Sequence, residues 1–350
     1  MDNTYHKQVD IDNEMKIREL LKELPKFCKS FFTGIESATE SRTRLAYAYD
    51  LRIFFHYLMD VNPTLSKYTM HEIPLWFMDE LDAQDIEEYI SYLRVYKKDE
   101  TQHTNSELGT KRKLSALRSL YHYLYQKGMV KSDPSTLVST PKIHEKAIVR
   151  LDIDEVARLL DEVETGDKLT EKQQQYHKKT KLRDLAIMTL LLGTGIRVSE
   201  CVGLNIEDVD FIHDGIKIHR KGGNEAIVYF GEEVEKVLLD YLEERNTLSP
   251  IAGHEEALFL SMQRKRIGVR SVEKLVKKYA QTVTTVKKIT PHKLRSTYGT
   301  SLYQNTGDIY LVADVLGHKD VNTTRKHYAD VGEDRRRMAA DKVILRETRS

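Results

Sequence analysis

The hydrophobic pattern of the N-terminal part of the chain has a helical period. Apolar residues recur every three or four positions in three segments, which are residues 43–59, 82–96 and 106–127. This spacing predicts three amphipathic helices, each with one apolar stripe for a common core. The polar, mixed-charge segment 1–24 fits either a frayed arm or a first helix. The pattern therefore predicts a small N-terminal helical bundle.

Proline marks the end of this bundle. Pro134 follows Asp133 and Pro141 follows Thr140, and a residue that precedes proline is disfavoured in a helix. We therefore predict an N-terminal domain over residues 1–141, a linker over 142–150 and a second domain over 151–350.

The second domain combines helical segments with one short region of period two. Helices are predicted over 152–163, 182–192, 232–244 and 271–279, and the polar segment 164–181 is predicted to be a loop or insertion. Residues 182–192 are apolar almost all round, which indicates a buried helix, and Gly193-Thr194-Gly195 ends it. Alternation of Ile216 and Ile218 with polar residues, and the turn at 221–224, predict a small antiparallel sheet. The fold class is therefore mainly α.

Composition narrows the class of protein. Charged residues make up 31% of the 350 residues and hydrophobic ones 40%, as in helix-rich globular proteins. No run of about eighteen apolar residues occurs and the N-terminus lacks the apolar region of a signal peptide, so we expect no membrane contact and a cytoplasmic location. Cys28 and Cys201 lie far apart, which argues against a disulfide framework or a zinc site.

Charge is segregated along the chain although the formal net charge is only +1. Residues 108–131 contain six basic residues and no acidic one, and residues 261–295 contain eleven basic residues and one acidic one. Such blocks create a local positive field that favours a polyanionic partner. Four DNA-binding candidates are predicted on the outer face of the helix over 106–127, and they are Lys111, Arg112, Lys113 and Arg118.

Candidate chemistry is concentrated near the C-terminus. Thr290 and Pro291 predict a helix start that places His292 and Arg295 on one face, at a helix end that attracts anions such as phosphate. His318 follows in a Leu-Gly-His turn, and Tyr328 comes ten residues later. With 19 Tyr and 13 His in the chain, ordinary packing explains such residues about equally well.

Two further candidate positions lie earlier in the second domain. Arg197 and Glu200 follow the buried helix directly, on a turn that this helix can hold rigidly. Lys221 lies at the predicted hairpin tip, where a solubilising turn lysine is the ordinary interpretation.

The order of these elements resembles the tyrosine recombinase (integrase) family. The resemblance rests on the strings GTGIRVSE, RKGGN, TPHKLR, LGHKDVNTT and the final HY, and it covers residues 43–340. Among the subfamilies, the chain looks most like the Xer site-specific recombinases, especially the single-protein XerS-like type. The resemblance implies a SAM-like core-binding (DNA-clamp) domain followed by a mostly helical catalytic domain.

The resemblance also implies a role for each candidate residue. Tyr328 would attack a backbone phosphate and form a 3′-phosphotyrosine, while Arg197 and Arg295 stabilise the charge on the phosphate. Lys221 would protonate the departing 5′-oxygen, and His292 would act as general base or acid at Tyr328. His318 would donate a hydrogen bond to the phosphate, and Glu200 would orient Arg197 or His292. Neither a metal nor a cofactor would be needed, since the two arginines do the electrostatic work.

Two positions depart from the family pattern or are ambiguous. Ser296 stands where many relatives carry His, which is expected to alter hydrogen bonding around the site and not the reaction. His327 adjoins Tyr328, but His318 is preferred as the catalytic histidine because of its glycine-preceded turn.

The implied partners are a double-stranded recombination site, a homotetramer with two protomers per site or a related recombinase, and a cell-division DNA translocase. The tail over 333–345 carries an apolar stripe, which either docks on a neighbouring subunit or packs on its own domain. The expected role is resolution of chromosome dimers. The alternatives are an integrase of a phage or transposon, a catalytically inactive DNA-binding protein of the same fold, and a type IB topoisomerase.

Overall fold

The computed structural model describes residues 4–98, 101–142, 149–220, 224–318 and 320–328. The chain divides into two compact units, unit 1 over residues 1–146 and unit 2 over residues 147–350. The predicted linker, 142–150, falls largely on residues 143–148, which lie outside the described residues. Among the described residues, no helix is long and apolar enough to span a membrane.

Unit 1 is a helical bundle with one small hairpin. Its helices are α1 (Thr4–Glu23), α2 (Cys28–Gly34), α3 (Ser41–Val61), α4 (Phe77–Glu80), α5 (Ala83–Tyr92) and α6 (Glu107–Gln126), and its strands are β1 (Val95–Lys98) and β2 (Thr101–Thr104). Short 3₁₀ helices cover Pro63–Lys67, Met70–Glu72 and Pro134–Thr136. The three predicted helices are confirmed, and residues 4–23 form a helix and not a frayed arm.

The hairpin is the element of unit 1 that the sequence did not predict. Periodicity extended the second helix to residue 96, but α5 ends at Tyr92 and β1 pairs antiparallel with β2. Tyr96 pairs with His103 in this ladder, and their rings stack with centroids 5.5 Å apart. The apolar spacing of Ile90, Leu93 and Tyr96 suits a helix, so the cross-strand pairing could not be inferred from the period.

A buried carboxylate binds two basic residues of α6. Asp50 on α3 is 1% exposed, accepts a bond from Arg112 Nη2 at 2.8 Å and lies 3.8 Å from Lys113 Nζ. Lys113 is itself 6% exposed and donates to Asn105 Oδ1 at 2.8 Å. The prediction that Lys113 lies on the outer face is therefore wrong. Burial lowers the pKa of Lys113 and raises that of Asp50, while their mutual attraction opposes both shifts.

Arg118 is also engaged within unit 1. Its guanidinium donates to the backbone oxygens of Ser135 and Val138 and to the hydroxyl of Thr140. These bonds attach the segment after the 3₁₀ helix to α6. Lys111 and Arg112 are thus the two predicted DNA-binding residues of α6 that are exposed to solvent.

We expect Asp50→Asn to lower the free energy of unfolding of unit 1 by about 3 kcal/mol, because Lys113 would keep a buried charge with no counter-charge at Asp50. Urea unfolding of the full chain, followed by fluorescence, isolates this effect since the single tryptophan, Trp76, lies in unit 1. Glu19→Gln is the matched control, as the Glu19–Lys22 pair is 71% and 69% exposed, and it should leave the midpoint unchanged. Equal midpoints for both variants would contradict the assignment.

Unit 2 is mostly helical and contains one three-stranded sheet. Its helices are α7 (Ile153–Thr165), α8 (Glu171–His177), α9 (Lys181–Thr194), α10 (Val198–Gly203), α11 (Glu232–Thr247), α12 (Val269–Val283), α13 (Pro291–Thr306), α14 (Ile309–Leu316) and α15 (Val321–Tyr328). The strands are β3 (Val209–Asp210), β4 (Gly215–His219) and β5 (Glu225–Tyr229), and a 3₁₀ helix covers Ile206–Asp208. The predicted fold class, mainly α with a small antiparallel sheet, is confirmed.

Helix α9 is the central element of unit 2. Its residues 186–191 are all buried, and it packs against α7, α11 and α13. Near its start the buried carboxylate of Asp184 accepts bonds from Thr180, Lys278 and Tyr279, which attach α9 to α12. The apolar pattern that predicted a buried helix thus also identified the scaffold of the unit.

The predicted loop over 164–181 is partly helical. Thr170 caps α8 by accepting a bond from the backbone of Gln173, and His177 at the end of the helix is buried. His177 Nδ1 lies 3.0 Å from the hydroxyl of Tyr279 on α12. A helix of seven residues shows less than two full periods, so its polar composition dominated the prediction.

The sheet has the order β3-β4-β5, antiparallel throughout. Ile216 pairs with Val228, and both side chains are buried, while Lys217 pairs with the exposed Ile227. Arg220 N–H donates to Asn224 O at 2.7 Å and continues the pairing toward the turn. Residues 221–223 of the predicted turn, including Lys221, lie outside the described residues.

Candidate active site

Two glycine-terminated helices create the framework of the candidate site. Gly195 ends α9 with φ 63° and Gly317 ends α14 with φ 62°, a conformation that only glycine adopts without strain. A Cβ added to Gly195 would lie 2.4 Å from the ring of Tyr298 on α13, and 3.0 Å from Leu316. The ends of α9 and α14 therefore meet against α13, where only a glycine leaves room.

Three arginines donate to three consecutive carbonyl oxygens at the end of α14. Arg220 Nη2 donates to Val315 O at 2.9 Å, Arg295 Nη2 to Leu316 O, and Arg197 Nη2 to Gly317 O at 3.5 Å. Arg295 Nη1 also donates to Gly195 O at 2.5 Å. A helix C-terminus carries about half a negative elementary charge, which favours cations there. The three guanidinium groups are thus gathered at one point, where together they suit an anion.

Glu200 fixes the orientation of Arg197. Its carboxylate accepts a bond from Arg197 Nη1 at 2.7 Å and another from the backbone N–H of Arg197 at 2.6 Å. Glu200 is 5% exposed, while the Arg197 side chain is 36% exposed, so the carboxylate is buried and the guanidinium remains accessible to a partner. Glu200 was predicted to orient Arg197 or His292, and these bonds join it to Arg197.

His318 is held by the helix that follows it. The backbone N–H of His318 donates to Ala313 O at 2.9 Å, which completes the turn after α14. Its Nδ1 lies 2.6 Å from Thr324 Oγ1, and Thr324 is fully buried on α15. Thr324 on α15 thus orients the His318 ring at this turn.

We expect Thr324→Val to slow the strand cleavage that the resemblance implies by about 5- to 30-fold, because loss of one hydrogen bond to His318 corresponds to about 1–2 kcal/mol. Thr324→Ser, which keeps the hydroxyl, should restore most of the rate in a single-turnover assay. Thr306→Val is the matched control, since the Thr306 hydroxyl donates to Leu302 O on the exposed end of α13. A Ser variant as slow as the Val variant would show that the methyl group matters and the bond does not.

The other predicted residues are placed only in part. His292 lies exposed in the first turn of α13, and Arg295, one turn later, is 5% exposed. Ser296 is buried and its hydroxyl donates to His292 O at 3.1 Å. Helix α15 ends at Tyr328, four positions after Thr324, but the side chain of Tyr328 lies outside the description. The structure thus groups Arg197, Glu200, Arg295 and His318, and it does not place Lys221.

The sequence interpretation missed two residues at this site. Arg220 was noted only as the residue before Lys221 in RKGGN, and Thr324 only as the last residue of LGHKDVNTT. The spacing of six residues between His318 and Thr324 was visible in the sequence, and the start of α15 brings the Thr324 hydroxyl back to the ring. No such local signal existed for Arg220, whose partner Val315 is 95 residues away in sequence.

The second basic block is only partly available to a partner. Within residues 261–295, side chains of Arg266, Lys278, Lys287 and Arg295 bond to protein atoms. Arg270, Lys274 and Lys277 are exposed on α12 at positions i, i+4 and i+7, which form one stripe along a helix. This stripe can meet an extended polyanion, and Lys265 and Lys288 of the same block are exposed as well. Among the described residues, no group of His, Cys, Asp and Glu side chains could hold a metal ion.

Comparison with known proteins identifies the class. Residues 149–335 match the model of the phage integrase family. Tyrosine recombinase XerC of Caldanaerobacter subterraneus subsp. tengcongensis is 32% identical over 346 residues, which are 95% of this chain and 90% of that protein. The chain therefore belongs to the phage integrase family of tyrosine recombinases, enzymes that cleave and rejoin DNA.

Within that family the chain is similar to Xer site-specific recombinases. Tyrosine recombinase XerS of Streptococcus agalactiae serotype III is 32% identical over 353 residues, 94% of this chain and 98% of that protein. The XerH recombinase in a post-cleavage complex with a palindromic difH substrate shares the fold, with a TM-score of 0.63 at 21% identity, over 87% of this chain and 80% of that one. A lambda integrase dimer on a COC′ core site also shares it, with a TM-score of 0.62 at 15% identity over 92% of this chain and 99% of that one.

Proposed function

We propose that this site-specific recombinase uses Tyr328 as its nucleophile and resolves chromosome dimers. The observation that carries the catalytic assignment is the convergence of Arg197 and Arg295 on adjacent carbonyls at the end of α14, next to His318. Planar guanidinium forks match the non-bridging oxygens of a phosphate, which gains charge in the transition state. Helix α15 begins after this turn and ends at Tyr328.

The reaction is a pair of transesterifications. The Tyr328 oxygen attacks the phosphorus, a bond to the 3′-phosphate forms, and the bond to the 5′-oxygen of the next nucleotide breaks. Lys221 gives its proton to this departing oxygen, and His292 accepts the proton of Tyr328. Attack by the 5′-hydroxyl of a partner strand reverses these steps and releases the tyrosine. Because each phosphodiester bond is exchanged for another, no ATP is consumed, and Arg197 and Arg295 supply the positive charge that stabilises the phosphate.

Both units take part in DNA binding in this proposal. The exposed residues Lys111 and Arg112 of α6 and the α12 stripe at Arg270, Lys274 and Lys277 supply phosphate contacts. Each contact releases counterions, so affinity is expected to fall steeply as salt rises. Two protomers occupy one site and a homotetramer joins two sites, with a cell-division DNA translocase as activating partner and the cytoplasm as location.

The Xer role is favoured over mobile-element integration by relatives that cover almost the whole chain. XerS of Streptococcus agalactiae aligns over 98% of its own length. A transposon role remains the second candidate, because the Tn1549 transposon integrase in complex with a circular intermediate DNA shares the fold, with a TM-score of 0.63 at 20% identity over 90% of this chain and 99% of that one.

Mapping of binding sites on the chromosome tests the role. The Xer proposal predicts one dominant covalent-capture site near the replication terminus, built of two inverted half-sites separated by about one helical turn of DNA or more. Deletion of the gene should then increase the fraction of cells with unseparated chromosomes. Capture at the ends of a mobile element, with normal chromosome separation in the deletion strain, would support the integrase instead.

A further inference from the structure

Arg220 joins the β4–β5 hairpin to the end of α14. Its backbone N–H donates to Asn224 O at 2.7 Å, on the hairpin side. Its guanidinium donates from Nη2 to Val315 O at 2.9 Å, on the α14 side. A Cβ added to Gly317 would lie 2.2 Å from Arg220 Nη1 and 2.4 Å from Cζ. The guanidinium thus occupies the space beside Gly317 that any other residue's side chain would fill.

An arginine at this position is costly by ordinary packing rules. Arg220 Nε is buried without a hydrogen-bond partner among the described residues, and an unpaired buried donor costs about 1–3 kcal/mol. The positive charge also lies at the same helix end as those of Arg197 and Arg295. An apolar side chain would fill the space without either cost. The bond to Val315, and not simple packing, therefore accounts for an arginine here.

We propose that Arg220 is a positioning residue for strand cleavage. It holds the base of the β4–β5 hairpin against the turn at Gly317 and His318, and so aligns Lys221, the next residue in the sequence, with the phosphate. The proposal rests on the proposed function, in which Lys221 protonates the 5′-oxygen. A misplacement of about 1 Å in a catalytic group can cost about 100-fold in rate. In this proposal Arg220 acts on the proton transfer from Lys221 through the hairpin, and Arg197 and Arg295 stabilise the charge on the phosphate.

Single-turnover cleavage by the full-length protein tests this with two substrates. One is an ordinary nicked suicide duplex, and the other carries sulfur in place of the bridging 5′-oxygen, a leaving group that needs no proton. Arg220→Met should slow cleavage of the ordinary duplex by about 10- to 100-fold and leave cleavage of the sulfur substrate near the wild-type rate. Arg220→Lys, which can still donate to Val315 O, should recover most of the ordinary rate.

Lys217→Met is the matched control, because it also removes one positive charge close to the hairpin. Lys217 lies on β4, and its Nζ is 3.3 Å from Glu225 Oε1. It should cleave both substrates like the wild type. Equal slowing of both substrates by Arg220→Met, or the same pattern in Lys217→Met, would overturn the proposal. Lys221→Ala tests the proposed function separately. This variant should cleave the ordinary duplex more slowly than the wild type and should cleave the sulfur substrate at close to the wild-type rate. Absence of that recovery would refute the proton-donor role of Lys221 itself.

Discussion

Tyr328→Phe is expected to abolish the covalent protein–DNA adduct while leaving DNA affinity nearly unchanged. The phenyl ring keeps the size of the side chain but has no oxygen with which to form the phosphodiester. The basic surfaces on α6 and α12 do not include residue 328, so phosphate contacts persist. A suicide substrate resolved on a denaturing gel measures the adduct, and a gel shift on the same duplex measures binding.

Tyr303→Phe and Tyr310→Phe are the controls for this experiment. Both residues precede the His318 turn, on α13 and α14, and Tyr310 is 71% exposed. Both variants should form the adduct like the wild-type protein. If the adduct persists in Tyr328→Phe and disappears in one of the other variants, the tyrosine replaced in that variant is the nucleophile.

Arg295→Lys is expected to slow cleavage by about 10³- to 10⁵-fold, the usual effect of an arginine that stabilises a phosphoryl transition state. Lysine keeps the charge but lacks the planar fork that reaches both a carbonyl and a phosphate oxygen. In this chain the fork already bonds Gly195 O and Leu316 O. The substitution therefore also loosens the junction between α9 and α14, which a thermal melt of the variant will register.

A matched substitution separates these two effects. Arg266 donates to the carbonyls of Val202 and Leu204, at the end of α10 in the same unit. Arg266→Lys should lower the melting temperature by a similar amount and leave the cleavage rate of the folded protein unchanged. Similar losses of rate in both variants would show that Arg295 serves the fold alone.

The elements predicted from sequence were those whose signals are local. The all-apolar run before Gly195 predicted the end of α9, and Leu-Gly-His predicted a turn at Gly317; both glycines have the positive φ that such turns require. Arg197 follows the first of these turns directly, and Thr290-Pro291 indicated the start of the helix that carries Arg295. Periodicity thus located α9, whereas α10, α14 and α15 were not predicted as helices.

What the sequence could not supply were partners distant along the chain. Lys113 looked like a member of an exposed basic face, yet it is buried close to Asp50, 63 residues earlier. Arg220 depends on Val315 in the same way. A side chain's charge is visible in the sequence, but the buried group that neutralises or accepts it depends on tertiary packing.

The central claim is that the phosphate becomes attached to Tyr328, and identification of the modified peptide tests it most directly. The wild-type protein would be trapped on a suicide substrate, digested with nuclease and trypsin, and analysed by tandem mass spectrometry. Cleavage after Lys326 and Arg335 releases residues 327–335, HYADVGEDR, in which Tyr328 is the single tyrosine. The account predicts a nucleotide remnant on this peptide at Tyr328. A remnant on the peptide over 296–319, which contains Tyr298, Tyr303 and Tyr310, would contradict it.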